Sequence, residues 1–564
     1  MFSIKVGKSC LTVFLNKKNI KIKDFIGERK IDLDFSSITN IFSIPFALFA
    51  CAVAIIYYIL PKRFRWCSLI VANTVFYLYG GANLIFYLLG ACVVTYVAGF
   101  IMNKFYEIQD KKCEGLDRKE KKPIKAEYNK KRKVVLIVSI ITVILGLVVI
   151  KYVPFLTGVF NGIIGWFGLE AVGQDSFGEF AVNVLGSSYF TLSIIAYLTD
   201  VYRGKFKAEK NPLKLYVFVS FFPHIKIGPI ERYNELAPQL FQGNKFEFTN
   251  IKQGAMMFMY GIFKQLVITN RLSTVTAYIF DNYKELNAIT ILFGTVVFSI
   301  QIYTDWTAYC DIVGGVAKML GINITKNFEQ PYFSKSMPEF WRRWHMSMGK
   351  FFKDYVLYPI SASNFCLKLN KNSRKIFGNT AGRVISSALP ILAVWALTGL
   401  WHGANYNFLC WGAFQGLLIM LSVIFTPGLQ KLNEKLHFKT ETFGWSLFRM
   451  GRTFLLCCMG RIFFRTSSVA DAFGMFSRLT VFEGGFPLSS FGLAKREWLI
   501  IAIALAVVLL VSVLEENKVK VFERLDKQPI IFKWLILFAV IMFIVVFGVY
   551  GSDAPHVNFI YEQF

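Results

Sequence analysis

Trp498-Leu-Ile-Ile-Ala-Ile-Ala-Leu-Ala-Val-Val-Leu-Leu-Val-Ser-Val-Leu514 runs for seventeen residues without a charge or a proline. At about 1.5 Å of rise per residue, a helix of that length crosses most of a hydrocarbon core about 30 Å thick. It lacks the period-two alternation of a barrel strand. Backbone in lipid must satisfy its own hydrogen bonds, so the run reads as a transmembrane helix. Comparable blocks occupy residues 41–60, 84–101, 134–150, 384–400, 406–426 and 531–551. Weaker ones lie near 66–80, 180–198, 213–230, 251–270, 286–304 and 446–464. The pattern predicts an all-α integral membrane protein with about eleven transmembrane helices, joined by re-entrant or interfacial ones.

Composition agrees: 55% of the 564 residues are hydrophobic and only 18% are charged. The net charge of +27 does not point to nucleic acid, because the basic residues gather between the apolar blocks. Twelve Lys and Arg residues fall between Lys104 and Lys133, and further clusters span Arg203–Lys214, Lys368–Arg383, Lys431–Lys439 and Lys518–Lys527. These segments are expected to be cytoplasmic, beside anionic lipid. The stretch around Glu170, Asp175 and Glu179 has no basic residue and is expected outside. Residues 1–40 form a basic segment unlike a signal peptide, and an interfacial placement suits it. N-terminal spans then occupy 41–103, the basic loop 104–133, a core 134–480 and C-terminal spans 481–564. None of the ten cysteines has the CxxC spacing of a metal or redox site, and no metal is expected.

Polar residues intrude most often between 186 and 416, and ionisable groups at membrane depth are functional candidates by default. Of five histidines, His437 and His556 lie in polar sequence, whereas His224, His345 and His402 lie among aromatics. His402 follows an apolar block in Leu400-Trp401-His402-Gly403-Ala404-Asn405. A neutral imidazole there suits a general base that takes a proton from a hydroxyl, with Trp401 as a wall against water. A histidine that only anchors a helix end fits the residue type equally well.

His345 stands in Met337-Pro-Glu-Phe-Trp341-Arg342-Arg343-Trp344-His345-Met-Ser-Met348. A continuous helix after Pro338 would align Trp341, Trp344, His345 and Met348 on one face. The topology count puts this string on the cytoplasmic side and His402 near the outer end of the next span. The two histidines therefore meet only if one segment re-enters the membrane. Phe221–Arg232 holds Pro223, Gly228 and Pro229, which break a helix; it is expected to line a cavity or lie at the interface, with His224 in local packing. Asp305 and Asp311 lie inside or at the end of an apolar stretch, where they could orient an imidazole or neutralise Arg342 or Arg343; a purely structural ion pair fits equally well. GxSxG, Walker and HExxH strings are absent.

Taken in order, Phe221–Arg232, Tyr303–Asp311, Asn327-Phe328 with Pro331-Tyr332, Phe340–His345, Asp354–Pro359, Leu400–Gly403 and Gly460–Arg465 with Ala470–Phe473 resemble the membrane-bound O-acyltransferase family. The likeness is greatest to its bacterial branch of alginate O-acetylation and teichoic-acid D-alanyl transfer proteins, and it covers residues 41 to 480. It implies a ring of helices around a central funnel or tunnel, with His402 catalytic and His345 implicated beside it. Trp401, Asp305, Arg343, Tyr358 and Asn405 are expected to support or line the site. The string departs from the family at His224, Lys226 and Ile227, and again at Ile360–Asn364 after Tyr358-Pro359. The implied reaction moves an acyl group, acetyl above all, from a cytoplasmic thioester (acetyl-coenzyme A or a carrier-bound acyl group) towards an extracellular glycan hydroxyl. Acceptance could be direct or through an extracytoplasmic acyltransferase partner, and no tightly bound cofactor is expected. D-alanyl transfer to teichoic acid, and a transporter or polysaccharide-export subunit, are the alternatives. A multi-pass protein of a bacterial plasma membrane follows from the same likeness.

Overall fold

A computed structural model describes residues 35–81, 85–167, 185–437, 439–486 and 488–550. The basic segment before residue 35, the acidic stretch 168–184 and His556 lie outside the described residues. Among the described residues the protein is helical throughout, its one β-bridge joining Phe328 and Trp344.

Among the described residues, seven helices are long and apolar enough to cross a membrane: Ile85–Cys113, Arg118–Gly165, Ala288–Met319, Ala381–His402, Tyr406–Lys435, Lys495–Glu516 and Ile530–Phe547. The run 498–514 sits inside the sixth of these. Other apolar blocks form shorter helices: Ile44–Ile59, Arg65–Tyr79, Ser187–Tyr202, Pro212–Ser220 and Phe248–Phe263. Phe443–Arg465 is long enough but carries four arginines, Arg449, Arg452, Arg461 and Arg465. Ser187–Tyr202 is buried almost all round, so it needs no lipid-facing apolar stripe. Ile530–Phe547, by contrast, buries none of its apolar window against protein and is suited to face lipid tails. The basic segment 104–133 is largely helical. It continues Ile85–Cys113 and starts Arg118–Gly165, joined by a short turn and a capping box at Asp117 and Glu120.

Ala288–Met319 occupies the centre, with 67% of its apolar window buried. Several of its hydroxyls are accommodated locally. The hydroxyls of Ser299, Thr304 and Thr307 donate to carbonyls one turn back, at 2.8, 3.0 and 2.7 Å. It packs closely on Phe248–Phe263, where a Cβ on Gly254 or Gly315 would lie 2.5 Å from the other's carbonyl oxygen. Close approach through small residues is the usual device for joining helices without a hydrophobic driving force.

Small residues also join Ala381–His402 to Tyr406–Lys435. A Cβ on Gly412 would lie 2.5 Å from the Trp395 carbonyl, and one on Gly399 would meet the Phe408 carbonyl. Gly412→Ala is expected to push these two helices apart and to cost about 1–3 kcal/mol, the range for overpacking. A fall in the thermal midpoint of the purified protein checks it; an unchanged midpoint would show that the crossing is not tight.

The segment Phe221–Arg232 has no helix, as its prolines require, and nearly every residue in it is buried. Its backbone donors are satisfied by side chains from elsewhere. The Phe222, Ile227 and Ile230 N–H groups donate to Asn73 Oδ1 (3.0 Å), the Tyr309 hydroxyl (3.2 Å) and Ser347 Oγ (3.0 Å). Irregular backbone is thus covered by protein rather than laid at an interface.

Candidate active site

The string after Pro338 does not make one helix. Met337–Arg343 ends, Trp344 bridges to Phe328, and Met346–Phe352 begins anew. Glu329 N–H donates to the Arg343 carbonyl and Met346 N–H to the Asn327 carbonyl, both at 2.9 Å, so backbone pairing with residues 327–329 holds the chain open. His345 lies in the gap with φ 48° and ψ 53°, a left-handed conformation that costs a non-glycine residue energy and is frequent at functional sites. The continuous face expected for Trp341, Trp344, His345 and Met348 is therefore replaced by a break that isolates the histidine.

The two short helices are tucked against the long ones. Trp341 contacts Trp395 and Trp411 at ring-centroid distances of 4.8 and 5.6 Å, and its Nε1–H donates to Gln415 Oε1 at 3.2 Å. This docking brings His345 to Trp401, at 5.8 Å between centroids. His402 packs on the same Trp401 at 4.9 Å. The meeting demanded by the topology count is met: both histidines share one tryptophan, and both are buried.

His345 packs edge-on to Trp306 at 4.4 Å and near Tyr189 at 6.4 Å. Its Nδ1 lies 3.1 Å from Asn327 Oδ1. That oxygen also accepts from the Ser347 N–H (3.2 Å) and hydroxyl (2.9 Å). A backbone N–H can only donate, so the atom it meets is the amide oxygen, and Nδ1 carries the proton given to it. The lone pair then sits on Nε2, which is buried and has no hydrogen-bond partner among the described residues. A buried acceptor left open is costly, and it is ready to receive a proton or a hydroxyl from a bound molecule.

His402 closes the span Ala381–His402, which ends because Gly403 is extended. Trp411 (4.8 Å), Phe464 (5.3 Å) and Phe408 (6.5 Å) enclose its ring, so it sits in aromatic surroundings from which water is largely excluded. Two buried imidazoles sharing an aromatic wall can accept, hold and return protons during transfer between a donor and a hydroxyl.

Not every expected site residue joins them. Asp305 is buried on Ala288–Met319, one residue before Trp306. Arg343 turns away to Glu516 (2.7 Å) and Glu339 (2.9 Å), and Asp311 pairs with Lys264 at 2.6 Å, so neither aspartate neutralises that arginine. Tyr358 is half-exposed on a separate short helix, with Lys353 over its ring at 5.5 Å. Asn405 is an exposed N-cap accepting from Asn407 N–H at 3.1 Å. Helix capping is its evident role. His224 is buried against Phe221 at 5.6 Å. Reasoning from sequence passed over Trp306 and Tyr189, which look like ordinary core aromatics, and Asn327, which carries no charge to draw notice. It also passed over Lys151, placed directly after an apolar run and read as the end of a span.

Residues 186–372 match the membrane-bound O-acyltransferase family model. His345 lies within that match and His402 beyond it. The chain is 28% identical over 447 residues, 79% of its length, to the probable alginate O-acetylase AlgI of Pseudomonas syringae pv. tomato, covering 76% of that protein. It is 28% identical over 315 residues to the peptidoglycan O-acetyltransferase of Helicobacter pylori, covering 51% of this chain and 55% of that one. It is 25% identical over 284 residues to the teichoic acid D-alanyltransferase of Bacillus subtilis, covering 50% and 68%.

Proposed function

We propose that this chain, a member of the membrane-bound O-acyltransferase family, passes an acetyl group from a cytoplasmic thioester donor towards hydroxyls of an extracellular polysaccharide. Catalysis of acyl transfer, at the membrane and by a multi-pass protein, is common ground with its bacterial relatives. Acetyl as the group and a glycan as the acceptor rest on the names of the alginate and peptidoglycan enzymes. One observation carries the chemistry: the buried rings of His345, whose Nε2 has no hydrogen-bond partner among the described residues, and of His402 both pack on Trp401.

In this reading the acceptor oxygen attacks the thioester carbonyl while His402 takes the hydroxyl proton. The carbon–sulfur bond then breaks, and the leaving thiolate is protonated from the pair of imidazoles. His345, on a string flanked by Lys326, Arg342 and Arg343, receives the donor side. His402, at the far end of its span, receives the acceptor side. A central funnel or tunnel through the ring of helices would join the two faces. Where the acceptor does not reach His402 itself, an extracytoplasmic acyltransferase partner completes the relay.

The test offers labelled acetyl-coenzyme A to purified protein in nanodiscs, with and without an acetylatable glycan, and follows the label. Label passed to glycan, or held on protein and released by a partner, supports acetyl transfer. Transfer only from a D-alanyl carrier protein would replace this reading with the teichoic-acid one, to which the Bacillus subtilis relative points.

A further inference from the structure

We propose that Lys151 is a positioning residue of this reaction, clamping Trp401 and the end of the His402 helix through contacts made from a wide helical turn. The idea rests on the reading that His402 serves the transfer, and deepens it by naming what holds that residue in place.

Lys151 follows the apolar run 134–150 in the span Arg118–Gly165. A lysine at such a place ordinarily extends its stem to reach water. Here it turns inward. Its Nζ donates to Ser188 Oγ at 3.1 Å and approaches the Trp401 carbonyl at 3.5 Å. Its hydrogen-bond partners among the described residues are this neutral hydroxyl and carbonyl. The next residue acts alike: the Tyr152 hydroxyl donates to the Leu400 carbonyl at 2.8 Å.

Local sequence accounts for the geometry. Val148–Tyr152 is a π-turn directly before Val153-Pro154. Proline has no N–H to give and its ring crowds the carbonyl four residues earlier, at Ile150, which favours a widened turn. Single π-turns of this kind cluster at functional sites. The turn presents consecutive side chains to the final carbonyls of Ala381–His402, which have no donors within their own helix. A cation is also favoured there by the helix dipole.

The clamp reaches the site by a second path. The Ser188 carbonyl accepts from Trp401 Nε1–H at 3.4 Å, while the Ser188 hydroxyl is held by Lys151. Tyr189, the next residue, packs on Trp401 at 5.1 Å and near His345 at 6.4 Å. Lys151 therefore fixes the tryptophan that both histidines share, from its backbone and from its ring nitrogen.

The experiment compares wild type, Lys151→Met and Lys151→Arg in nanodiscs, with two readouts. The first is the labelled-acetyl transfer rate against donor concentration. The second is carbethoxylation of His402, counted by mass spectrometry against the exposed His437. Lys151→Met is expected to lower kcat about 10–100-fold with donor KM within about twofold, since small misplacement of a reacting group costs that much. His402 should become several times more reactive to the reagent, and Lys151→Arg should restore both values. Wild-type kcat and wild-type protection in Lys151→Met would overturn the proposal. So would a raised donor KM at unchanged kcat, which would make Lys151 a donor contact. If Lys151→Met does not fold, Tyr152→Phe removes one arm of the clamp, and unchanged protection of His402 there would count against it. Persistent transfer in His402→Ala would sink the functional reading alone, because carbethoxylation reports the clamp without activity.

Discussion

Replacing His402 with glutamine is expected to slow acyl transfer by about 10²–10⁴-fold, the usual worth of a positioned general base, while the protein stays folded. Glutamine is the informative choice because the ring sits among Trp401, Trp411 and Phe464. Alanine would open a cavity there and cost about 2–5 kcal/mol, as large-to-small changes in packed sites do. A dead alanine variant could then mean only a collapsed site. Glutamine keeps most of the volume and a polar end, but it cannot accept a full proton at neutral pH. The measurement is kcat and donor KM with labelled acetyl donor, alongside the thermal midpoint. A lowered kcat with KM and midpoint near wild type is the expected pattern, since a base acts on the transition state rather than on donor binding. Transfer within about threefold of wild type would remove His402 from the proton path.

The runs 498–514, 384–400 and 406–426 became long helices because nothing in them offers the backbone an alternative to its own hydrogen bonds. The segments near 213–230 and 251–270 form the shorter helices Pro212–Ser220 and Phe248–Phe263. Their apolar residues are needed for contact with other helices, and hydropathy cannot distinguish a side chain that meets lipid from one that meets protein. The break at His345 had no signal of its own, because Trp-Arg-Arg-Trp-His contains neither proline nor glycine. It is imposed by backbone pairing from residues 327–329, an interaction across the fold that local periodicity does not record. The two histidines could be picked out by residue type and neighbours. That they share Trp401 could only be posed as a demand on the topology. Lys151 was missed because a charge ending an apolar run looks like a boundary whether it faces water or the protein interior.

His345→Asn is the second variant with a large expected effect, again about 10²–10⁴-fold in transfer, and its backbone makes the inference clean. At φ 48° most residues are strained, but asparagine tolerates this region better than almost any other non-glycine residue. Its Nδ2 can also take over the donor role of Nδ1 towards Asn327 Oδ1, the bond that ties His345 to the Ser347 turn. What asparagine cannot supply is Nε2, the buried acceptor that points at no protein partner among the described residues. The variant thus keeps the fold and removes one nitrogen. His345→Ala should lose activity too, but with added instability of about 1–3 kcal/mol from the left-handed backbone and the gap beside Trp306. Comparing the two separates the lost proton acceptor from lost packing. Equal inactivity with a lower midpoint only for alanine would assign the chemistry to Nε2. An active His345→Asn would mean that the imidazole serves only to fill the space against Trp306, and that His402 works without it.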